Sequence, residues 1–153
     1  MDEFKLYKTY ELFKNKTILA LDYGEKVIGT ALYRPGVDPF PYPFEKIINQ
    51  SREKTLSQIS HLIDEEFVEV IVVGVPYYLD GNESKTTFLI KNFILELKKN
   101  FTKLEILEQD ETLSTQTAED RMKNSAQYNF KVDYTQIDSV SATIILEDFM
   151  RNS

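Results

Sequence analysis

No cysteine occurs anywhere in the chain, which removes disulfide frameworks, thiolate metal sites and cysteine nucleophiles together. Histidine is nearly absent too. The single His61 lies in a helical stretch, Ser57-Gln58-Ile59-Ser60-His61-Leu62, and reads as a surface residue. No apolar run is long enough to cross a bilayer. The first 16 residues mix acids and lysines with apolar side chains, so they are not a secretory signal, and a soluble cytoplasmic protein with no membrane partner is expected. Positive charge is also short: 18 Lys and Arg face 25 Asp and Glu, for a net charge of −7. That balance excludes a protein that coats nucleic acid through a uniform basic face. It does not exclude a nuclease, because catalytic acids add negative charge of their own. Any phosphate-binding patch must be local.

What remains is a chain of 153 residues, 42% hydrophobic and regularly patterned. That is one domain, able to bury about two thirds of its unfolded surface. Residues 17–22 form an apolar run without polar alternation, hence a strand buried on both faces. A tight turn at Gly24 leads to a second strand over 27–33 and makes a hairpin. Arg34-Pro35-Gly36 and the prolines 39, 41 and 43 give an irregular connection to a weaker strand over 44–49. Ser51 caps a helix whose Leu56, Ile59, Ile63 and Phe67 recur at helical spacing. A strand over 68–75 ends in a turn-rich loop with Asp80-Gly81. A second helix carries Leu89, Phe93 and Leu97 on one side, and a fifth strand spans 103–107. A helix over 115–123, a polar and mobile loop over 125–133 and a last helix over 134–150 complete the order.

A hairpin-linked trio followed by strand–helix alternation implies a mixed five-stranded sheet with helices on both faces. Residues 1–16 form an extension, with Phe4, Leu6, Leu12 and Phe13 placed to pack on the domain of 17–153. No exposed apolar helix demands a dimer.

Against this frame the acids stand out. Asp22 ends a buried strand, where a charge is costly unless a cation or hydrogen bonds meet it. Asp110-Glu111 follows another apolar run, and Asp138 opens the last helix. Each alone would serve as a turn or cap residue. Asp138, however, starts the stripe Asp138, Ala142, Ile145 and Phe149, a face that turns inward. In open α/β sheets, sites lie beyond the carboxyl ends of parallel strands, where Asp22, the 74–83 loop and Asp110-Glu111 all fall. Three acids gathered there make a hard oxygen-ligand site for Mg²⁺ or Mn²⁺.

The segment Asp22-Tyr23-Gly24-Glu25-Lys26-Val27-Ile28-Gly29-Thr30-Ala31 resembles the opening motif of the YqgF family, also called RuvX-like Holliday junction resolvases, of the ribonuclease H-like superfamily. That opening usually reads Asp-x-Gly-x-Lys-Arg-Ile-Gly-x-Ala. Gly74-Val75-Pro76 through Asp80-Gly81 and Glu83 is similar to the family's central loop. Asp110-Glu111-Thr112-Leu113-Ser114-Thr115, with Ala118-Glu119, resembles Asp-Glu-Arg-Leu-Ser-Thr…Ala-Glu. Asp138-Ser139-Val140-Ser141-Ala142 resembles the closing helix. The ordered set spans about residues 17–150.

The resemblance implies a ribonuclease H-like fold and a nuclease whose acids hold divalent metal: Asp22, Glu111 and Asp138 as catalytic ligands, with Asp110 beside them. It implies nucleic-acid partners, either precursor small-subunit rRNA matured at its 5′ end, with the small ribosomal subunit beside it, or branched DNA. Lys26, Asn82, Lys85 and Arg121 are the expected strand contacts. A homodimer would suit symmetrical cutting of a junction. Two departures bear on substrate grip: Val27 and Thr112 stand where the family usually has arginine. Two other classes compete. A phosphotransferase of the actin and sugar-kinase type also opens on Asp-x-Gly, but this chain is short for two lobes and has no second such loop. A non-catalytic module that kept the fold would follow from the lost arginines.

Overall fold

The computed structural model describes residues 3–111 and 117–152. Thr112 and Thr115 of the third motif lie outside the described residues. A short helix α1, Lys8–Phe13, precedes strands β1, Thr17–Asp22, and β2, Val27–Tyr33. Two-residue strands β3, Tyr42–Pro43, and β4, Ile47–Ile48, follow. Then come α2, Arg52–Glu66; β5, Val68–Val75; α3, Lys85–Asn100; β6, Glu105–Asp110; α4, Ala118–Lys123; and α5, Ile137–Met150.

The sheet runs β3-β2-β1-β5-β6, with β4 also paired to β2. β1 is antiparallel to β2 but parallel to β5, and β5 is parallel to β6, so the sheet is mixed. Hence Asp22, Val75 and Asp110 end three parallel neighbours on one edge. One apolar cluster packs α2 and α3 on one face through Ile59, Leu62, Ile90, Phe93, Ile94 and Leu97. The other packs α5 and the N-terminal segment on the opposite face, through Ala142, Ile145, Leu146 and Phe149 with Phe4 and Phe13.

Several boundaries differ from the sequence expectation. The strand expected over 44–49 is two pieces flanking Phe44, because Pro43 cannot donate to a ladder and sits on the edge strand. β6 extends to Asp110: it is an edge strand whose backbone stays paired with β5 as far as Val75, so its polar residues continue it instead of ending it. α5 begins at Ile137, after the turn built by Asp133. In the N-terminal segment Phe4 and Phe13 are buried, whereas Leu6 and Leu12 face solvent. Phe67 is not part of the α2 stripe; it is the left-handed C-cap and is exposed. On α3 the buried stripe is Ile90, Phe93, Ile94 and Leu97; Leu89, expected on that side with Phe93 and Leu97, is exposed, as are Phe88 and Leu95.

Candidate active site

Asp22 owes its place to the hairpin. It is the last residue of β1 and pairs across to Gly29 of β2. The turn between them is held by Asn49, whose Nδ2 donates to the Gly24 carbonyl at 2.7 Å and whose N–H donates to the Lys26 carbonyl at 2.9 Å. Gly29 is what admits the last helix. A Cβ there would lie 1.9 Å from the Asp138 carbonyl oxygen and 2.9 Å from the Ser139 nitrogen. Only a residue without a side chain lets the start of α5 lie against β2 beside Asp22. Ser139 fastens the same turn by donating to the Phe44 carbonyl at 2.8 Å.

Glu111 follows β6 directly, and its N–H donates to the Val75 carbonyl at 2.9 Å. Gly74 serves this side as Gly29 serves the other: a Cβ there would press on Ile145 Cδ1 at 2.4 Å and on Glu111 Cγ at 3.3 Å. Asp22 and Glu111 line one cavity of about 210 Å³, with Thr117, Ala118, Ser141, Ile144 and Ile145. Asp138 is not part of that lining but is near enough for its charge to act on Asp22. Asp110 is exposed, and its charge acts on Glu111.

The electrostatics mark the site as under-compensated. Burial, and secondarily the Asp138 charge, push the Asp22 carboxyl from 3.8 up to about 7. Burial also raises Glu111 well above the carboxylate range, helped by contact with Asp148 and by the charges of Asp22 and Asp110. Glu111 and Asp148 meet carboxyl to carboxyl, and Glu111 Oε2 and Asp148 Oδ2 are buried without a hydrogen-bond partner. Arg151 stands 3.8 Å from the other Asp148 oxygen.

These oxygens suit a hard divalent cation chemically. Two desolvated carboxyls lining one cavity, and an orphaned glutamate oxygen, are what a cation would satisfy. Among the described residues, however, no three acids stand close enough together to hold an ion as they are. The donor set fits; binding would have to draw its members closer.

The expected strand contacts are distributed unevenly. Lys26 is exposed in the turn after Asp22. Asn82 is exposed and tied into its own loop, its N–H donating to Asp80 Oδ1 at 2.9 Å. Lys85 begins α3, behind the cap where Ser84 accepts from the Thr87 N–H. Arg121 is engaged elsewhere: it grips Glu147 with both guanidinium nitrogens and lines a different cavity, with Phe40, Tyr42 and Tyr128. His61 is exposed beside Glu65 at 3.0 Å. Asn49 and Asp148 carried no signal in the sequence, and Gly29 figured there only as a residue of the opening motif, without a role. Its place inside a strand was the available signal.

Comparison with known proteins gives consistent results. The family described as RuvX, Holliday junction resolvase, matches residues 16–152. A protein of Maridesulfovibrio salexigens named "Putative pre-16S rRNA nuclease" is 33% identical over 87% of this chain and 96% of its own length. One of the same name from Fusobacterium nucleatum is 32% identical over 88% and 96%. Among solved structures, the Fowlpox virus resolvase bound to Holliday junction DNA superposes with a TM-score of 0.54 at 11% identity, covering 88% of this chain and 96% of that one, which is a likeness of fold.

Proposed function

The chain belongs to the RuvX family, and from that premise we propose that it is a divalent-metal-dependent endonuclease that hydrolyses phosphodiester bonds in structured nucleic acid. Its first substrate, on this reading, is precursor 16S rRNA, the substrate in its relatives' names, cut at the 5′ end in the cytoplasm. Residues 17–153 would be the nuclease domain and 1–16 an extension packed on it. The small ribosomal subunit would present the substrate. The observation that carries the proposal is the pair of desolvated acids, Asp22 and Glu111, in one cavity on the carboxyl edge of the sheet.

Asp22, Glu111 and Asp138 would hold Mg²⁺ or Mn²⁺, with Asp110 alongside. When bound, the metal supplies a polarised phosphate, an activated water and a stabilised leaving oxygen. The protein's own contribution is positional. Without metal, burial makes Asp22 hold a proton well above the usual carboxylate range, and it must give up that proton to become a ligand. The Asn49-bound turn keeps Asp22 in register, and Gly29 lets α5 deliver Asp138. Lys26 and Lys85, both exposed, are free to meet phosphates on either side.

The family description keeps a second substrate in play, the four-way DNA junction. Labelled precursor rRNA and a labelled junction, each incubated with wild type and Asp22→Asn in Mg²⁺ or Mn²⁺, separate the two. Metal-dependent cutting of the RNA that Asp22→Asn abolishes is expected. Cutting of the junction alone would transfer the function to DNA. Binding without cutting of either would leave a non-catalytic module.

A further inference from the structure

The segment between α4 and α5 does not behave as the polar, mobile loop its composition suggests. It is tied by its own backbone. Phe130 N–H donates to the Ser125 carbonyl at 3.0 Å, Asn129 N–H to Ala126 at 3.0 Å and Lys131 N–H to Tyr128 at 3.1 Å. Asp133 then accepts from the N–H and hydroxyl of Thr135 and from Gln136. Its side chains sort by direction. Tyr128, Val132 and Ile137 pack inward on Ala118, Met122, Val140 and Ile144. Phe130 and Tyr134 point out, 62% and 70% exposed.

Phe130 is also held at φ 59°, directly after Asn129 at φ 54°. A left-handed asparagine is ordinary; a left-handed phenylalanine is a rare and costly choice for a bulky side chain. The fold thus spends conformational energy to fix a large ring in solvent, where it gains no burial. The location gives that expense a purpose. The loop joins α4, whose Ala118 lines the acid cavity, to α5, which carries Asp138. Lysines border it: Lys131 next to Phe130, Lys123 at the end of α4, and Lys46, whose Nζ approaches the Thr135 carbonyl at 3.5 Å. All three are exposed; the loop's acid, Asp133, is bonded within its own turn, and the Lys46 charge also acts on it. Exposed rings interleaved with cations are the combination that takes a single nucleic-acid strand, bases on the rings and phosphates on the lysines.

We propose that Phe130 and Tyr134 form a stacking platform for unpaired bases of the strand that enters the acid cavity, with Lys131, Lys123 and Lys46 on its phosphates. This rests on the nuclease reading and specifies its substrate: a duplex with a single-stranded tail is favoured over a blunt duplex.

The test uses full-length protein carrying Asp22→Asn, to prevent cutting, in Mg²⁺. The probes are an RNA hairpin with a single-stranded tail containing 2-aminopurine, and its DNA counterpart. Phe130→Asn and Tyr134→Ala should each weaken tail binding about 5- to 150-fold and relieve 2-aminopurine quenching. Phe130→Trp and Tyr134→Phe should retain both. The salt slope should stay unchanged in the ring variants and flatten in Lys131→Ala. Phe130→Asn should also melt no lower than its parent, because asparagine accepts the left-handed backbone that phenylalanine resists. Weaker binding in a protein that is no less stable separates recognition from structure. Ring variants that bind and quench like their parent on both tails overturn the platform and leave the nuclease reading intact. A parent that binds neither tail overturns both. The RNA and DNA arms show which strand the platform prefers.

Discussion

Replacing Asp22 by Asn should make the metal-free protein more stable and the metal-loaded protein inactive. The group titrates at 3.8 when unfolded and at about 7 when folded, so the folded state binds the extra proton. Its contribution to stability is therefore fully present below about pH 4 and is lost as pH rises through about 7. A shift of roughly three units corresponds to an upper limit of about 4 kcal/mol at 1.36 kcal/mol per unit. Partial exposure and relaxation should leave roughly half, about 2 kcal/mol. Asparagine is nearly isosteric and carries no charge, so it escapes this penalty. In EDTA at pH 8, Asp22→Asn should melt about 4–8 °C above wild type for a chain of this size. At pH 4 the two should nearly coincide. Millimolar Mg²⁺ should reverse the order, because metal stabilises the form that binds it and the variant has lost a ligand. Single-turnover cleavage should drop by orders of magnitude. The assay is differential scanning calorimetry at both pH values, with and without metal. An Asp22→Asn protein no more stable than wild type at pH 8 in EDTA, or equally favoured at pH 4, would refute the reasoning that this carboxylate is held at a cost for want of a cation.

Three further outcomes are open to measurement. Gly29→Ala should destabilise by roughly 3 kcal/mol or more, since its Cβ would enter the Asp138 carbonyl, and chemical denaturation should show it alongside lost cleavage. Asp148→Asn can donate to Glu111 and relieve the carboxyl pair, so in EDTA at pH 8 it should raise the melting temperature by a few degrees, whereas Asp148→Leu should not match it. Val27→Arg and Thr112→Arg should tighten binding of structured RNA at low salt, with the gain fading as salt rises and little change in rate per bound complex.

How much of this was legible in the sequence depended on whether a residue's environment was local. Two of the three parallel strand ends could be placed because an apolar run that stops on Asp22, or a turn that follows Val75, announces itself within a few positions. The α5 stripe was equally local: Ala142, Ile145 and Phe149 are buried as their spacing requires. Extents were harder. β6 packs Ile106 on one face and Leu107 on the other, then runs on through Glu108, Gln109 and Asp110, so Asp110 reads as lying beyond the strand when it is still in the ladder with Val75. The same limit hid Asp148. It sits three residues past Ile145, so it follows the inward stripe, but an acid near a helix C-terminus opposes the dipole and is normally solvated. Nothing within ten residues says that Glu111 will arrive opposite it from another strand. Gly29 shows the converse: its signal was visible as glycine in a strand, but the helix turn it accommodates lies more than a hundred residues downstream. The site is thus composed of locally readable acids and of unreadable clearances between them. The clearances at Gly29 and Gly74 are what bring α5 against the sheet, so alanine at either position should leave every acid in the chain and still cost it the site.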